Sequence, residues 1–303
     1  MKVKFRKTKP NKTHAMQDRI THCLWFPKEA EEAMNYYTNV FSPSKKETVD
    51  YTNEGKVMST DFELMQAKFV TLNGNSMSTF NPSVNFFVCC ESKKELDQLY
   101  ANLVKDGEVM MPLDSYDWSD YYVWLNDKYG VSWQLMKDDL KNVGQKITPL
   151  FFFSGKQRGK AKEAMDFYLS IFSESKSEGA MFYSKEERLP ETYVKHAQAK
   201  LLGHTFMFMD SGVENDFPFN ESVSIMIHAK DQAETDYYWE KLLQNGGEEM
   251  MCGWLKDQYG VCWQVIPDGF REILTQADET KREKAMQAMM QMKKLDINQL
   301  NKI

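Results

Sequence analysis

No stretch of this chain approaches the ~20 uninterrupted apolar residues that a membrane-spanning helix needs. Cysteine is scarce. The five present (Cys23, Cys89, Cys90, Cys252, Cys262) are an odd number without a Cys-x-x-Cys pair, which argues against a disulfide framework and predicts reduced thiols in a cytoplasmic protein. Positive charge is short as well. Six of the 38 Lys+Arg residues lie within the first twelve positions (Lys2, Lys4, Arg6, Lys7, Lys9, Lys12), leaving 32 against 44 Asp+Glu in the remainder. A body that acidic repels phosphate backbones, so nucleic acid is not an expected partner of the folded part. No apolar run follows the basic stretch to make a secretory signal, and residues 1–17 are expected to be a solvated, disordered tail. A serine–histidine–aspartate pattern, a phosphate-cradling loop and zinc-ligand spacing are also missing.

What is present is length and a repeat. The 303 residues suffice for two domains, and 42% hydrophobic with 13% aromatic residues supply packed cores. Trp124-Leu125-Asn126-Asp127-Lys128-Tyr129-Gly130-Val131-Ser132-Trp133-Gln134 recurs as Trp254-Leu255-Lys256-Asp257-Gln258-Tyr259-Gly260-Val261-Cys262-Trp263-Gln264. Upstream, Glu32-Ala33-Met34-Asn35-Tyr36-Tyr37 matches Glu163-Ala164-Met165-Asp166-Phe167-Tyr168, and Ile20-Thr21 matches Ile147-Thr148. Ordered matches at three places define two copies of one unit, 18–138 and 146–268. Residues 269–303 follow as a methionine-rich helical segment.

Within each copy the periodicity alternates. Ile20–Phe26 reads as a strand, and Ala30, Ala33, Met34, Tyr37, Val40 and Phe41 form one helical stripe, repeated by Ala161, Ala164, Met165, Tyr168, Ile171 and Phe172. Three short strands follow, near 47–51, 57–64 and 67–73. The pattern then restarts with a strand at 83–88, a helix at 92–105 that Gly107 ends through a positive φ, and strands near 108–111, 121–126 and 131–136. Each copy is therefore strand-helix-strand-strand-strand, twice. Copy one carries an extra loop around Met111 to Asp120. Asp278 to Lys294 reads as a helix whose Met286, Met289 and Met290 pack on the body, with a lid over a pocket as the alternative.

The doubled βαβββ module, with the pair Glu-Ala-Met-x-(Tyr/Phe)-Tyr and Asp-x-Tyr-Gly-Val-x-Trp-Gln, resembles the vicinal-oxygen-chelate superfamily of glyoxalase I, bleomycin-resistance proteins and extradiol dioxygenases. Leu24-Trp25-Phe26, Phe62-Glu63-Leu64, Leu72-Asn73-Gly74, Gly107, Met111-Pro112-Leu113-Asp114 and Gln291-Met292-Lys293-Lys294 look like its PhnB-like branch, the so-called 3-demethylubiquinone-9 3-methyltransferase domain. The resemblance covers nearly all of 18–268 and implies an α+β fold in which tandem modules form two half-barrel domains, with a C-terminal helix added. The methyltransferase label finds no glycine-rich loop after a first strand to cradle a nucleotide-like cofactor.

In the superfamily a divalent metal sits among four inward positions of such a cup. The resemblance maps these in copy one to His22, which lies fifteen residues before Tyr37, Asn73, Asn85 and Gln134, and in copy two to Pro149, Asp210, Ser224 and Gln264. One imidazole with three neutral amides makes a weak set for a dication, and copy two has no imidazole at all. No cofactor is expected, with His22 and Gln134 the candidate metal ligands otherwise. His196, His204 and His228 do not line up with these places and are expected to be exposed or locally bonded. Asp127 and Asp257 are expected to be turn residues.

Aromatic residues crowd both copies and suit a cup for a planar or cationic small molecule. Trp133 and Trp263 are expected in the core. Trp124 and Trp254 are pocket candidates, and Trp118 in the extra loop rims the site. The leading expectation is a small-molecule-binding protein with a depleted metal site. The alternatives are a metal-dependent glyoxalase- or dioxygenase-type enzyme using His22 as a ligand, and a sequestering or structural protein. Fusion of the copies predicts either a monomeric pseudo-dimer or a homodimer.

Overall fold

The computed structural model describes residues 19–52, 54–74, 78–276 and 278–303; the expected tail at 1–17 lies outside them. Copy one consists of β1 (Ile20–Phe26), α1 (Ala30–Val40), β2 (Ser44–Tyr51), β3 (Val57–Leu64) and β4 (Ala67–Asn73), then β5 (Val84–Cys90), α2 (Lys93–Leu103), β6 (Glu108–Tyr116), β7 (Ser119–Asn126) and β8 (Ser132–Lys137). A short connecting helix, α3 (Leu140–Val143), leads to copy two. That copy has β9 (Ile147–Phe153), α4 (Ala161–Ile171), β10 (Lys176–Phe182), β11 (Val194–Leu201) and β12 (His204–Asp210), then β13 (Val223–Ala229), α5 (Gln232–Leu242), β14 (Glu248–Glu249), β15 (Trp254–Lys256) and β16 (Cys262–Pro267). The chain closes with α6 (Phe270–Leu274), α7 (Glu279–Met290) and α8 (Ile297–Leu300). This is the α+β fold of tandem βαβββ modules.

The sheets do not follow the copies. One eight-stranded sheet runs β14-β15-β16-β13-β1-β4-β3-β2 and the other β10-β11-β12-β9-β5-β8-β7-β6. Each sheet therefore joins one module of copy one to one of copy two, through antiparallel pairs β1–β13 (Cys23 opposite Ser224) and β5–β9 (Asn85 opposite Leu150). The four ligand positions mapped within each copy thus divide between two sheets.

The helix-bearing faces of both sheets share one core. Its α1 and α4 stripes are the expected ones, with Ala30, Ala33, Met34 and Tyr37 buried on α1 and Ala161, Ala164, Met165, Tyr168 and Ile171 on α4. Phe69 of the first sheet lies 5.2 Å from Phe86 of the second, and Trp133 and Trp263 are fully buried there. Each such side chain contributes ~1.5–3 kcal/mol by leaving water. Because both helix faces point into this shared core, the opposite, concave faces look away from one another.

The repeated Asp-x-Tyr-Gly motif locks this core. Asp127 Oδ2 accepts from Tyr37 Oη (2.8 Å) and Trp133 Nε1 (2.9 Å), while Oδ1 accepts from the Tyr129 and Val131 amides. Asp257 repeats the arrangement with Tyr168, Trp263, Tyr259 and Val261. Burial pushes both carboxyls up to about 6, against four hydrogen bonds that favour the charged form. The two aspartates are turn residues with a second task, tying the first helix of each copy to that copy's last hairpin. Gly130 and Gly260 complete the turns at φ 86° and 89°.

Three local expectations are corrected. At the end of α2 the positive φ belongs to Asp106 (59°), and Gly107 is required for closeness instead, since a Cβ there would meet Asn126 O at 2.3 Å. The extra segment of copy one continues β6 and β7 as a paired hairpin down to Tyr116 opposite Ser119. In the C-terminal segment the buried positions are Ala285, Met292, Leu295, Ile297 and Leu300, whereas Met290 is 59% exposed.

Candidate functional site

Strand alternation decides which side chains line each concave face. On β1, Ile20, Leu24 and Phe26 belong to the shared core, while Cys23 clusters with Val70 and Trp254, and Trp25, Leu72 and Met226 pack against them. His22 shares the parity of Leu24. Its ring sits 5.0 Å from Phe69 and 5.3 Å from Phe86, 4% exposed, with Nδ1 buried and unbonded among the described residues. Burial, with a smaller contribution from His204, drops its pKa to about 3, so it is a neutral core residue directed away from the cup.

Asn73 and Asp210 also leave the site. Asn73 Oδ1 accepts the Ala30 amide at the start of α1 (2.9 Å), and its Nδ2 donates to Val57 O. Asp210 takes the Gly159, Ala161 and Val194 amides. Both satisfy orphan amides at or just before a helix N-terminus, the role of capping groups. Burial raises the Asp210 pKa. The Pro149 position lies on β9 opposite Phe86, a core residue.

The remaining candidates gather in two different cups. In the β1–β13 cup, Gln264 Nε2 donates to Ser224 Oγ (2.9 Å), beside Cys23, whose thiol burial pushes up to about 12. Trp254 stacks at 5.2 Å from Trp25 in a tilted pair. Part of this cup is covered by the C-terminal segment: Met292, Leu295 and Leu300 cluster with Ile266, and Met226, Phe270 and Met289 pack against them. The Cys252 and Gly253 amides donate to Met292 O and Lys293 O at 2.7 Å each, and Arg271 ties the segment to Asp50 and Asp61. β14 and β15 here are only two and three residues long, where copy one has the long β6–β7 hairpin.

In the β5–β9 cup the amides form a chain: Gln134 Nε2 donates to Asn85 Oδ1 (3.1 Å), Tyr122 Oη donates to Gln134 Oε1 (2.9 Å), and Asn85 Nδ2 donates to Pro82 O. Around it cluster Phe87, Tyr122, Trp124, Leu150, Phe152 and Met207, with Met111, Met136, Met209 and Phe217 partly buried at the mouth. Trp124 is 9% exposed, crosses Phe152 at 5.2 Å and donates to Ser132 Oγ. Trp118, 49% exposed, stacks on Tyr116 at 4.9 Å, and Lys195 of β11 reaches over its ring at 5.8 Å. The hairpin thus meets the far side of its own sheet across the cup.

Thr148 escaped the sequence reading, and His196, expected to be exposed or locally bonded, is half-buried on the concave face. Thr148 shares the parity of Leu150 and Phe152 on β9; its hydroxyl is fully buried and has no hydrogen-bond partner among the described residues. His196 lies on β11 two residues from Gln198, which reaches the Asn142 and Val143 carbonyls of α3, and Val143 belongs to the cup's cluster. Parity with the strand partners was the available signal. His228 is locally bonded to Thr21 (2.9 Å).

A dication does not fit either set. Among the described residues no three His, Cys, Asp or Glu side chains come together as a metal group. The β5–β9 cup offers two amides already bonded to each other, and the β1–β13 cup offers a protonated thiol, a hydroxyl and one amide, where tight sites need anionic or imidazole donors. A cleft of about 470 Å³ lies elsewhere, between the end of α4 and the start of α5. Its Glu234 is engaged by Arg19 and its Tyr237 by Ile171 O, and it touches neither concave face.

The family model described as 3-demethylubiquinone-9 3-methyltransferase matches residues 18–136 and again 145–266. A PhnB protein from Bacillus cereus is 39% identical over 39% of this chain and 98% of its own (TM-score 0.38). Glyoxalase I from Zea mays is 10% identical over 86% of this chain and 96% of its own (TM-score 0.57), a likeness of fold. No curated protein matches.

Proposed function

We infer, for a chain that belongs to the 3-demethylubiquinone-9 3-methyltransferase family within the vicinal-oxygen-chelate superfamily, that it binds a small molecule in the β5–β9 cup without a metal. The observation that carries this reading is the asymmetry of the two cups. One concave face is partly covered by the chain's own C-terminal residues, which pack on its Ile266 and Met226. The other keeps a polar chain, Asn85–Gln134–Tyr122, on a floor of aromatic and methionine side chains whose outer members remain partly exposed. Apolar walls with a few convergent polar groups are the composition of small-molecule sites.

Both halves of each cup come from one polypeptide, so a single chain completes its site and acts as a pseudo-dimer. Methyl transfer is not favoured: β1 enters α1 through Pro27, Lys28 and Glu29, with no glycine turn to approach a nucleotide-like cofactor. A metal-dependent reaction through His22 is not favoured either, given where that ring lies.

The test is thermal unfolding against a panel of small aromatic molecules, with Trp124→Ala and Trp254→Ala as matched variants. These tryptophans occupy equivalent repeat positions and are equally exposed at 9%. A ligand at ~100 times its dissociation constant stabilises by about 2.7 kcal/mol. The reading expects that shift to vanish in Trp124→Ala and persist in Trp254→Ala. The reverse pattern, or no shift with any compound, contradicts it.

A further inference from the structure

We propose that the C-terminal segment is a releasable cover on the β1–β13 cup, clasped across that cup by Arg271; the proposal stands apart from ligand binding in the β5–β9 cup. The strand registers carry it. Asp61 lies in the row of Val70 and Cys23, and Asp50 in the row of Ser59, Leu72 and Trp25, so both carboxylates stand on the concave face. They belong to β3 and β2 at one edge of the sheet. The segment leaves β16, which lies on the other side of β13, β1 and β4. Arg271 of α6 nevertheless reaches them, with Nη1 2.7 Å from Asp61 and Nη2 2.8 Å from Asp50, and Nη2 also donates to Thr48 Oγ1 at 2.7 Å. The segment therefore crosses the cup from one wall to the other, above the Cys23, Ser224 and Gln264 floor.

The cover coheres with itself more than with the sheet. Phe270 and Ile273 of α6 share one cluster with Met289, Met292, Leu295 and Leu300, to which the sheet contributes only Ile266 and Met226. Of the twelve residues of α7 only Ala285 is buried. The segment joins β16 through Asp268 and Gly269, where Gly269 has a φ of 79° and open space where a Cβ would stand. A self-packed unit on an uncrowded turn has the build of a hinged body.

The clasp is the weak link. The Arg271 side chain is 47% exposed, and ion pairs in such a setting are worth little and are screened by salt. Lys293 and Lys294 hold the far end to Glu249 and Asp236 in the same exposed manner. The β5–β9 cup shows the contrast. Gln198 stands there in the place that Asp61 has in the repeat, and it donates to the Asn142 and Val143 carbonyls of α3. That connector is held by uncharged bonds and re-enters the sheet at Ile147. Only the β1–β13 cup combines an ionic clasp with a hinged cover.

The experiment is pulsed N-ethylmaleimide labelling of the full chain, read peptide by peptide in the mass spectrometer. Cys252 Sγ donates to Met289 O of the cover (3.7 Å), so its labelling reports lifting. Cys90, fully buried in the shared core, reports global unfolding in the same sample. The proposal expects Arg271→Ala to label Cys252 about three- to tenfold faster, the effect of losing two exposed ion pairs, with the Cys90 rate unchanged. In about 1 M NaCl, where the screening length falls to ~3 Å, wild type should accelerate by a larger factor than the variant. Arg271→Lys, which keeps the charge and loses the fork, should fall between wild type and Arg271→Ala. An unchanged Cys252 rate in Arg271→Ala overturns the proposal, as does an acceleration that Cys90 shares equally.

Discussion

Replacing Asp127 with alanine should damage the fold rather than any chemistry. The substitution strips the acceptor from Tyr37 Oη and Trp133 Nε1, both fully buried, and from the Tyr129 and Val131 amides. The Tyr129 amide is part-buried and the Val131 amide buried, so the two side-chain donors set the least cost. At ~1–3 kcal/mol for each buried group left unsatisfied, Asp127→Ala should lose ~2–6 kcal/mol, a large part of a typical ~5–15 kcal/mol stability. Tyr37→Phe removes a donor and leaves no orphan behind, so it should cost only ~1 kcal/mol. In the double variant the Tyr37 penalty is no longer available to be lost, and the two effects should fall short of additivity by ~1 kcal/mol or more. Urea unfolding followed by tryptophan emission measures all three. An Asp127→Ala loss below ~0.5 kcal/mol, or strict additivity, refutes the clamp.

Asp127 and Asp257 also make a pH prediction. Both carboxyls titrate at about 6 in the folded chain and near ~3.9 once unfolded. Between these values the folded state holds protons that the unfolded state has released, so these groups' contribution to stability falls as pH rises from ~4 to ~6 and levels off above. Urea midpoints across that range should show the fall, and Asp127→Asn with Asp257→Asn should flatten it. Leu295→Ala should cost ~2–5 kcal/mol, since Leu295 is fully buried against Gly253 and Ile266; an effect under ~0.5 kcal/mol in the same assay would mean the C-terminal segment is not seated on its cup.

The repeat, the helix stripes and most strands were legible because they are local patterns. Tyr37 and Tyr168 are core on both readings, and the α+β architecture follows from the alternation of periods. Module pairing was not legible: whether β1 meets β13 or β5 depends on contacts some two hundred residues apart, which no local pattern encodes. That gap split the set His22, Asn73, Asn85, Gln134 between two sheets.

Parity failed at His22 for a related reason. β1 lies between two neighbours and is buried on both faces, so its sequence reads as a continuous run with little alternation to mark inside from outside. Cys23, one residue on, holds the concave position. Asn73 and Asp210 were misread because a strand-end amide or carboxylate serves a metal and a helix start equally well by sequence. The most strongly repeated motif, Asp-x-Tyr-Gly-Val-x-Trp-Gln, divides its labour. Its Asp and Trp build the core clamp, and only its Gln reaches a cup.

Methionine-methyl NMR tests the central claim most directly, because methionines mark both cups. With 13C-methyl-labelled protein and an aromatic ligand found by thermal shift, the methyl resonances of Met136, Met207 and Met209 should move together on titration. Those of Met226, Met289 and Met292 should stay fixed. Shifts confined to the second group, or none in either, would contradict a ligand site in the β5–β9 cup.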